Sequence, residues 1–482
     1  MTFHDQIVSW IRPAAYFAQS PLSTFGAALT TSSAITLLGF WLFDLVVGGT
    51  FHPYVGLIFF LVLPGIFVLG LLLIPIGILL RRAELIKQRN LPDQFPKVDF
   101  SHPAARHLFG WIAGLTVANI VIFSVGSYRG VQYMDSVRFC GQTCHTVMQP
   151  EFTAYQNSAH QRVECVQCHI GPGASWFVRS KLSGLHQVYG VAFHTYDRPI
   201  PVPVQNLRPA RETCEQCHWP LAFTGSKLVV IRKFSEDEKN TELTTVMLLK
   251  IGGRAQNGGV GIHGRHLDPN NPIQYVSLDL QRQNMAQVSY VDGSGKKIAF
   301  RQTQPRPTTA QLASGEIRTM DCIDCHNRPT HTFQMPARAL DDMMAQGAIS
   351  PELPYIKKQS LAALKVRYPD RDTATRQIAA TLDDFYRNSQ PDVYRAKRKL
   401  LDASIGQVQA VYLHNVFPAM NIGWGTYTSN IGHMDSPGCF RCHDGSHTSA
   451  DGRTIPNDCD TCHTMLAMEE PNPKILSDLG IK

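Results

Sequence analysis

The sequence predicts a mostly α-helical and irregular fold with three N-terminal transmembrane helices and a small β-rich insertion. Three observations predict it. Long apolar runs occupy 27–47, 55–80 and 108–126, each long enough to cross a bilayer core as a helix. After residue 130 the chain turns polar and carries all twelve of its cysteines, every one in a pair that ends in Cys-His. The stretch 219–318 holds no such pair and contains short β-branched runs bounded by turn residues.

The apolar runs come first. The run 27–47 contains a single charge, Asp44, and 55–80 is unbroken up to Arg81 and Arg82. The loop after the second run carries Arg81, Arg82, Lys87, Arg89, Lys97 and Arg106, whereas the loop 48–54 carries no basic residue. Basic loops stay cytoplasmic, so the N-terminus is expected in the cytoplasm and the chain should leave the third span on the outer side. No short apolar stretch with a small-residue cleavage site precedes these runs, and an uncleaved anchor is expected. Core helices of a soluble domain are the alternative, but the second run exceeds their ordinary length. Histidines at 4, 52, 102 and 107 all lie outside the runs, so no haem is expected within the membrane.

The cysteine pairs are Cys140/Cys144-His145, Cys165/Cys168-His169, Cys214/Cys217-His218, Cys322/Cys325-His326, Cys439/Cys442-His443 and Cys459/Cys462-His463. C-x-x-C-H is the attachment signature of c-type haem: two thiols bond one porphyrin and the adjacent imidazole reaches its iron. A zinc reading would leave the following histidine unexplained each time, and no cysteine is left over for a disulfide. The chain therefore reads as a multihaem cytochrome c with six covalently bound c-type haems. The first pair has three intervening residues, and a local bulge should absorb the extra one. Haem attachment of this kind occurs outside the bacterial cytoplasm, which places the chain beyond about residue 130 in the periplasm and agrees with the charge rule. The formal charge is +7, but each ferric c-haem with ionised propionates adds about −1. The excess nearly cancels, and nucleic acid is not an expected partner.

Six irons also have opposite faces to fill. Beyond the six motif histidines, His160, His186, His194, His263, His266, His331, His414, His433 and His447 follow residue 130. Position favours His160 and His331, five residues from a motif, and His433 and His447, which flank the fifth. His263 and His266 share a Gly-rich loop and only one of them is expected to ligate; His186 sits in a helical stretch. His194 and His414 have less in their favour. Met148, three residues after His145, is placed to ligate or cover the first haem.

The expected organisation is an anchor at 1–130, a haem domain at 131–218, a β-rich insertion at 219–318, a fourth-haem segment at 319–345, a helical segment at 346–412 and a C-terminal haem segment at 413–482. Strands are expected at 228–233, 246–251, 275–280, 288–291 and 298–300, with Asp292-Gly293-Ser294-Gly295 as a hairpin loop. Ser350-Pro351 should open the helical segment. There Ile378, Leu382 and Phe385, and Leu401, Ile405 and Val408, recur at helical spacing as core stripes.

From about Cys140 to Pro220 the sequence resembles the NapC/NirT family of membrane-anchored multihaem quinol dehydrogenases. The resemblance rests on 140–148, on Ser158-Ala159-His160, on Cys165-Val166-Gln167-Cys168-His169 and on 179–190. It implies that Met148 belongs to the first haem and that Lys181 lies near a quinol. Three spans, six haems and a β-rich insertion resemble the larger inner-membrane members from bacteria that respire metals. The expected function is oxidation of menaquinol or another quinol at the periplasmic face, with transfer of electrons to periplasmic c-type cytochromes or a terminal reductase. Lys181 and Asp44 are the candidate quinol-site residues. A relay subunit without its own quinol site, and a multihaem reductase of a small substrate, are the alternatives; homo- or hetero-oligomers are compatible with all three.

Overall fold

The computed structural model describes residues 16–18, 20–47, 55, 58–91, 103–143, 145–171, 173–204, 207–219, 223–253 and 260–481. The chain divides into two compact units, 1–145 and 146–482.

The first unit is helical. Helix α1 (Pro21–Val47) opens on Ser20, whose hydroxyl accepts the Ser23 amide at 3.0 Å, as an N-cap residue should. Helix α2 (Leu63–Lys87) runs beside it, and α3 (Pro103–Asp135) contains the third apolar run. Small residues line the α1–α2 contact: a Cβ on Gly26 would stand 2.8 Å from the Gly70 carbonyl oxygen. Ser23 donates its hydroxyl across the helices to Ile74 O at 2.9 Å. Larger residues face outward, with Ile35, Leu42, Leu72 and Leu79 exposed, while Ala34, Leu37, Phe67 and Ile122 cluster within. Small residues inside and large apolar ones outside is the arrangement of helices packed in lipid, where close backbone approach replaces hydrophobic burial. Two stretches, Pro21–Phe43 and Ile58–Lys87, are long and apolar enough to cross a membrane.

The second unit starts with α4 (His145–Gln156) and α5 (Ala174–Ala192). The expected strands form β1 (Lys227–Phe234), β2 (Glu242–Leu249), β3 (Gln274–Ser277), β4 (Met285–Val291) and β5 (Lys297–Gln302), with β6 (Glu316–Thr319) in addition; the one-turn helix α6 (Ile262–His266) lies between β2 and β3. Asp292 turns β4 into β5 by accepting the amides of Ser294 and Lys296 at 2.9 and 3.0 Å, and Gly295 takes the left-handed backbone (φ +83°) that the turn requires. These strands do not close on themselves. Both sheets take an edge strand from the C-terminal segment: β7 (His447–Ser449) pairs with β5, and β8 (His463–Glu470) pairs with β2. The orders are β1-β2-β8 and β6-β3-β4-β5-β7.

Helices α7 (Pro336–Ala345), α8 (Ile356–Leu364), α9 (Arg371–Ser389) and α10 (Arg398–Asn415) build the largest apolar core. The stripes expected there point inward, with Ile378, Leu382, Leu401 and Val408 fully buried. Ser350-Pro351 does not open a helix. The chain turns through 351–355 instead, because Asn240 donates its amide to Pro351 O and Leu353 O, each at 2.9 Å. Tyr355 then takes a left-handed φ of 61°, which a right-handed helix cannot contain. Lys357, buried, meets Asp341 at 2.5 Å, and Asp341 also accepts the Phe234 amide at 2.8 Å. That buried ion pair joins the helices to β1.

Candidate haem sites

Short turns carry the cysteine motifs. Cys165–His169, Cys322–Cys325 and Cys459–Cys462 are single α-helical turns, so two thiols three residues apart fall on one side. The turn at Cys322 opens on a capping box: Asp321 accepts the Cys322 amide at 2.6 Å and Asp324 accepts the Asp321 amide at 2.7 Å. At the first motif Phe139–Thr143 is a π-helical turn. A π turn is an α turn widened by one residue, which takes up the extra residue of C-x-x-x-C without a loop. Cys144 and the side chain of His145 lie outside the described residues, as does the side chain of Asp44. None of the eleven described cysteines is in a disulfide.

The histidines are arranged in pairs. His160 and His218 have ring centroids 5.9 Å apart, His169 and His331 6.2 Å, His263 and His326 6.4 Å, His266 and His443 5.9 Å, and His433 and His463 6.2 Å. Each pair joins one motif histidine to one histidine from elsewhere in the chain. Two imidazole nitrogens bound on opposite sides of one metal ion, each at ~2 Å, would place the ring centroids roughly 6 Å apart.

Hydrogen bonds orient the rings. His263 donates from Nδ1 to Ile251 O at 2.6 Å, His266 to Ile262 O at 2.8 Å, His331 to Glu151 O at 3.0 Å, and His443 to Pro456 O at 2.6 Å. His160 makes the same contact to Pro329 O at 3.4 Å. A carbonyl oxygen can only accept, so each Nδ1 carries the proton and Nε2 keeps the lone pair that a metal needs. Burial pushes the His266 and His331 pKa values down, which keeps those rings neutral and able to ligate. Arg328 holds Glu151 in place by bonding both carboxylate oxygens at 3.0 Å.

The attachment turns also follow one another in space. The Cys214 and Cys322 thiols hydrogen-bond each other. Cys168 interacts with Cys214 and Cys217, Cys325 with Cys439, and Cys439 with Cys462. Asp321 accepts the Ala210 amide at 3.2 Å, tying the third motif to the fourth. Arg441, inside the fifth motif, donates to the Asp324 carbonyl oxygen at 2.6 Å inside the fourth. Motifs two to six therefore form a contiguous series in chain order.

Unlike the pairs at Cys165, Cys322 and Cys459, Cys214 and Cys217 do not share a helical turn. The helical turn Ala210–Cys214 ends before Cys217, and 215–217 is a non-helical turn in which the Cys217 amide donates to Cys214 O at 3.1 Å. Cys217 stands exposed, as Cys168 and Cys459 do, while Cys214 is half-buried. Several expectations are corrected here. His447 is fully buried, with Nδ1 on Asp444 at 2.9 Å and Nε2 on Met285 O at 2.7 Å. Both nitrogens face acceptors, and neither offers a lone pair to iron. His186 stands exposed on α5, and among the described residues it belongs to none of the ring pairs. The Gly-rich loop contributes both His263 and His266, to different partners, where only one was expected. Met148 lies half-buried on α4 and Lys181 half-buried on α5.

Sequence reasoning missed the orienting groups, since Glu151 O, Pro329 O, Ile251 O, Ile262 O and Pro456 O are backbone carbonyls with no side-chain signature. It also missed Asp324, buried within the fourth motif and bonded by the Tyr275 hydroxyl at 2.5 Å.

The pairs fit a haem better than a bare ion. Among the described residues, no group of three or more His, Cys, Asp or Glu side chains could hold a metal by itself. Two opposed imidazoles leave the equatorial positions to another donor set, which a porphyrin has. His463 Nδ1, buried, finds no hydrogen-bond partner.

Residues 103–202 match the N-terminal region of the NapC/NirT cytochrome c family. Over 466 residues the chain is 38% identical to the cytochrome c-type protein ImcH of Geobacter sulfurreducens, covering 96% of this chain and 91% of that protein. It is 26% identical over 108 residues to the cytochrome c-type protein NrfH of Wolinella succinogenes, covering 22% of this chain and 60% of NrfH. Against the cytochrome c-type protein TorC of Escherichia coli K12 it is 25% identical over 134 residues, covering 24% of this chain and 34% of TorC. No solved structure matches.

Proposed function

This chain belongs to the NapC/NirT cytochrome c family of membrane-anchored electron-transport proteins, and we propose that it is a hexahaem member that oxidises quinol at the periplasmic face of the bacterial inner membrane and feeds a periplasmic acceptor. The observation that carries the reading is the set of five histidine pairs at 5.9–6.4 Å, each containing one motif histidine. Each bound haem would supply a one-electron iron couple. The chain's own residues do the rest. The cysteines would fix each macrocycle to a short turn, and at motifs two to six the motif histidine and its partner histidine would together hold the iron. The carbonyl acceptors fix the tautomer of His160, His263, His266 and His331 before any metal arrives. Irons held between two histidines in this way would suit electron transfer and disfavour reduction of a substrate.

Three spans would anchor the chain with its N-terminus in the cytoplasm, as the basic loop at 81–106 favours. Helix α5 supports a quinol site close to the bilayer. It exposes Val178, Leu182, Leu185 and Tyr189 at helical spacing, an apolar stripe suited to a membrane surface. Lys181 lies on the same helix and would hydrogen-bond the quinol, with His145 and Met148 serving the first haem. Asp44, near the outer end of the first span, is the candidate acceptor of a quinol proton.

The test uses the full chain purified in detergent and incorporated into lipid nanodiscs. Six covalent haems by intact mass, and their rapid reduction by a menaquinol analogue, are expected. Lys181→Met should slow that reduction by about 10- to 100-fold, the worth of a hydrogen bond to a charged group. A wild-type protein that dithionite reduces and menaquinol does not would overturn the quinol reading and leave an electron relay.

A further inference from the structure

We propose that His263 and His266 are distal ligands to two different irons, those of the Cys322/Cys325 and Cys439/Cys442 motifs, so that one helical turn staples the fourth haem to the fifth. The inference rests on the haem reading above and adds to it an assignment outside the region matched by the NapC/NirT family.

The geometry is specific. Helix α6 is a single turn, yet its two histidines face separate partners: His263 lies 6.4 Å from His326 with the rings 11° from parallel, and His266 lies 5.9 Å from His443. Each ring has its Nδ1 on a carbonyl oxygen, Ile251 O for His263 and Ile262 O for His266. Each therefore presents Nε2 as the free base. Phe223 stacks on the His263 ring at 4.9 Å and restricts its rotation.

The backbone around the turn is built for close approach. The Ile262 amide donates to Lys250 O at 2.8 Å, just past the end of β2. A Cβ on Gly261 would stand 2.6 Å from Gly252 O, and one on Gly264 would stand 2.9 Å from the Gly253 carbonyl carbon. No other residue fits these two positions without moving the turn. Lys250 meanwhile donates its amide to Cys462 O at 2.9 Å in the sixth motif. Residues 250–253 and 260–266 thus gather the last three motifs at one place. The direct bond from Arg441 to Asp324 O fixes the spacing of the fourth and fifth motifs from the other side.

The test uses full-length protein in detergent, with intact mass, ferric electron paramagnetic resonance and potentiometric titration as readouts. His263→Met and His266→Met should each keep six haems, convert one bis-imidazole iron to histidine–methionine ligation, and raise one potential. The double variant should convert two. In a Cys322→Ala/Cys325→Ala background, which lacks the fourth haem, His263→Met should convert nothing further and His266→Met should still convert one. If a methionine variant fails to accumulate, His263→Ala and His266→Ala should each yield one high-spin iron that added imidazole returns to low spin. No conversion in either single variant, or one conversion in the double, would overturn the assignment. A wild-type mass with fewer than six haems would instead strike the reading beneath it.

Discussion

The helices between 336 and 415 and the motif-bearing segments around them solve the problem of a core in opposite ways. In the helical segment, Leu340, Ile349, Leu353, Ile356, Leu364 and Leu382 are fully buried against one another, and the side chains fill the space themselves. Around the motifs the same chain leaves Trp219, Phe440, Ile317 and Met468 exposed, and its histidine rings stand in pairs with centroids 5.9–6.4 Å apart. One region is a core made of protein; the other is a frame whose interior is to be occupied by porphyrin. Large apolar side chains left uncovered beside ordered polar groups mark a place where something else is to sit.

The comparison can be broken most severely by removing one frame member. Cys439→Ala/Cys442→Ala should lose one covalent haem and loosen 430–463 together with β8, while 336–415 stays protected in hydrogen exchange. Loss of protection across both regions at once would show that the helical segment also depends on haem. Next in size is the buried pair. Asp341→Ala strands the Lys357 ammonium, whose pKa burial already lowers, and should cost about 3–5 kcal/mol in denaturant unfolding while the haem spectrum is unchanged. Leu382→Ala should cost about 2–5 kcal/mol by opening a cavity in the same core, again with no spectral effect.

Smaller in energy but sharper in meaning is His331→Met, which should convert one bis-imidazole iron and leave helical stability within about 1 kcal/mol, since a partly exposed site loses few contacts. The smallest effect belongs to His186→Ala. It should change neither the spectrum nor, beyond about 0.5 kcal/mol, the stability. His447→Gln separates the two kinds of histidine: no iron should change its ligation, but the β5–β7 edge should weaken, because His447 bridges Asp444 and Met285 O.

Much of this architecture was legible in the residues. The apolar runs map onto α1, α2 and α3, the β-branched runs onto strands, and the stripes through Ile378 and Leu401 onto buried helix faces. These signals are local: a helix or strand declares its buried face every few residues. What escaped was non-local. Nothing in residues 463–470 announces that they complete a sheet with β2, and nothing near Ser350 announces that Asn240 will hold the following turn. The histidines show the boundary best. His447 and His433 flank the same motif with similar sequence surroundings, yet one is buried between Asp444 and Met285 O while the other faces His463.

The sequence by itself determined the six attachment motifs, their adjacent histidines, the apolar anchor and the family, because two thiols and an imidazole on one macrocycle must come from one short stretch of chain. Only the tertiary structure decided which second histidine ring faces the motif histidine in motifs two to six, that His263 and His266 face two different ones, and that His447 is buried between Asp444 and Met285 O. A haem's first face is filled by a neighbour in sequence. In the proposed reading its second face would be filled by whatever residue the fold carries there, and at His160, His263, His266 and His331 a backbone carbonyl on Nδ1 turns the other nitrogen's lone pair inward.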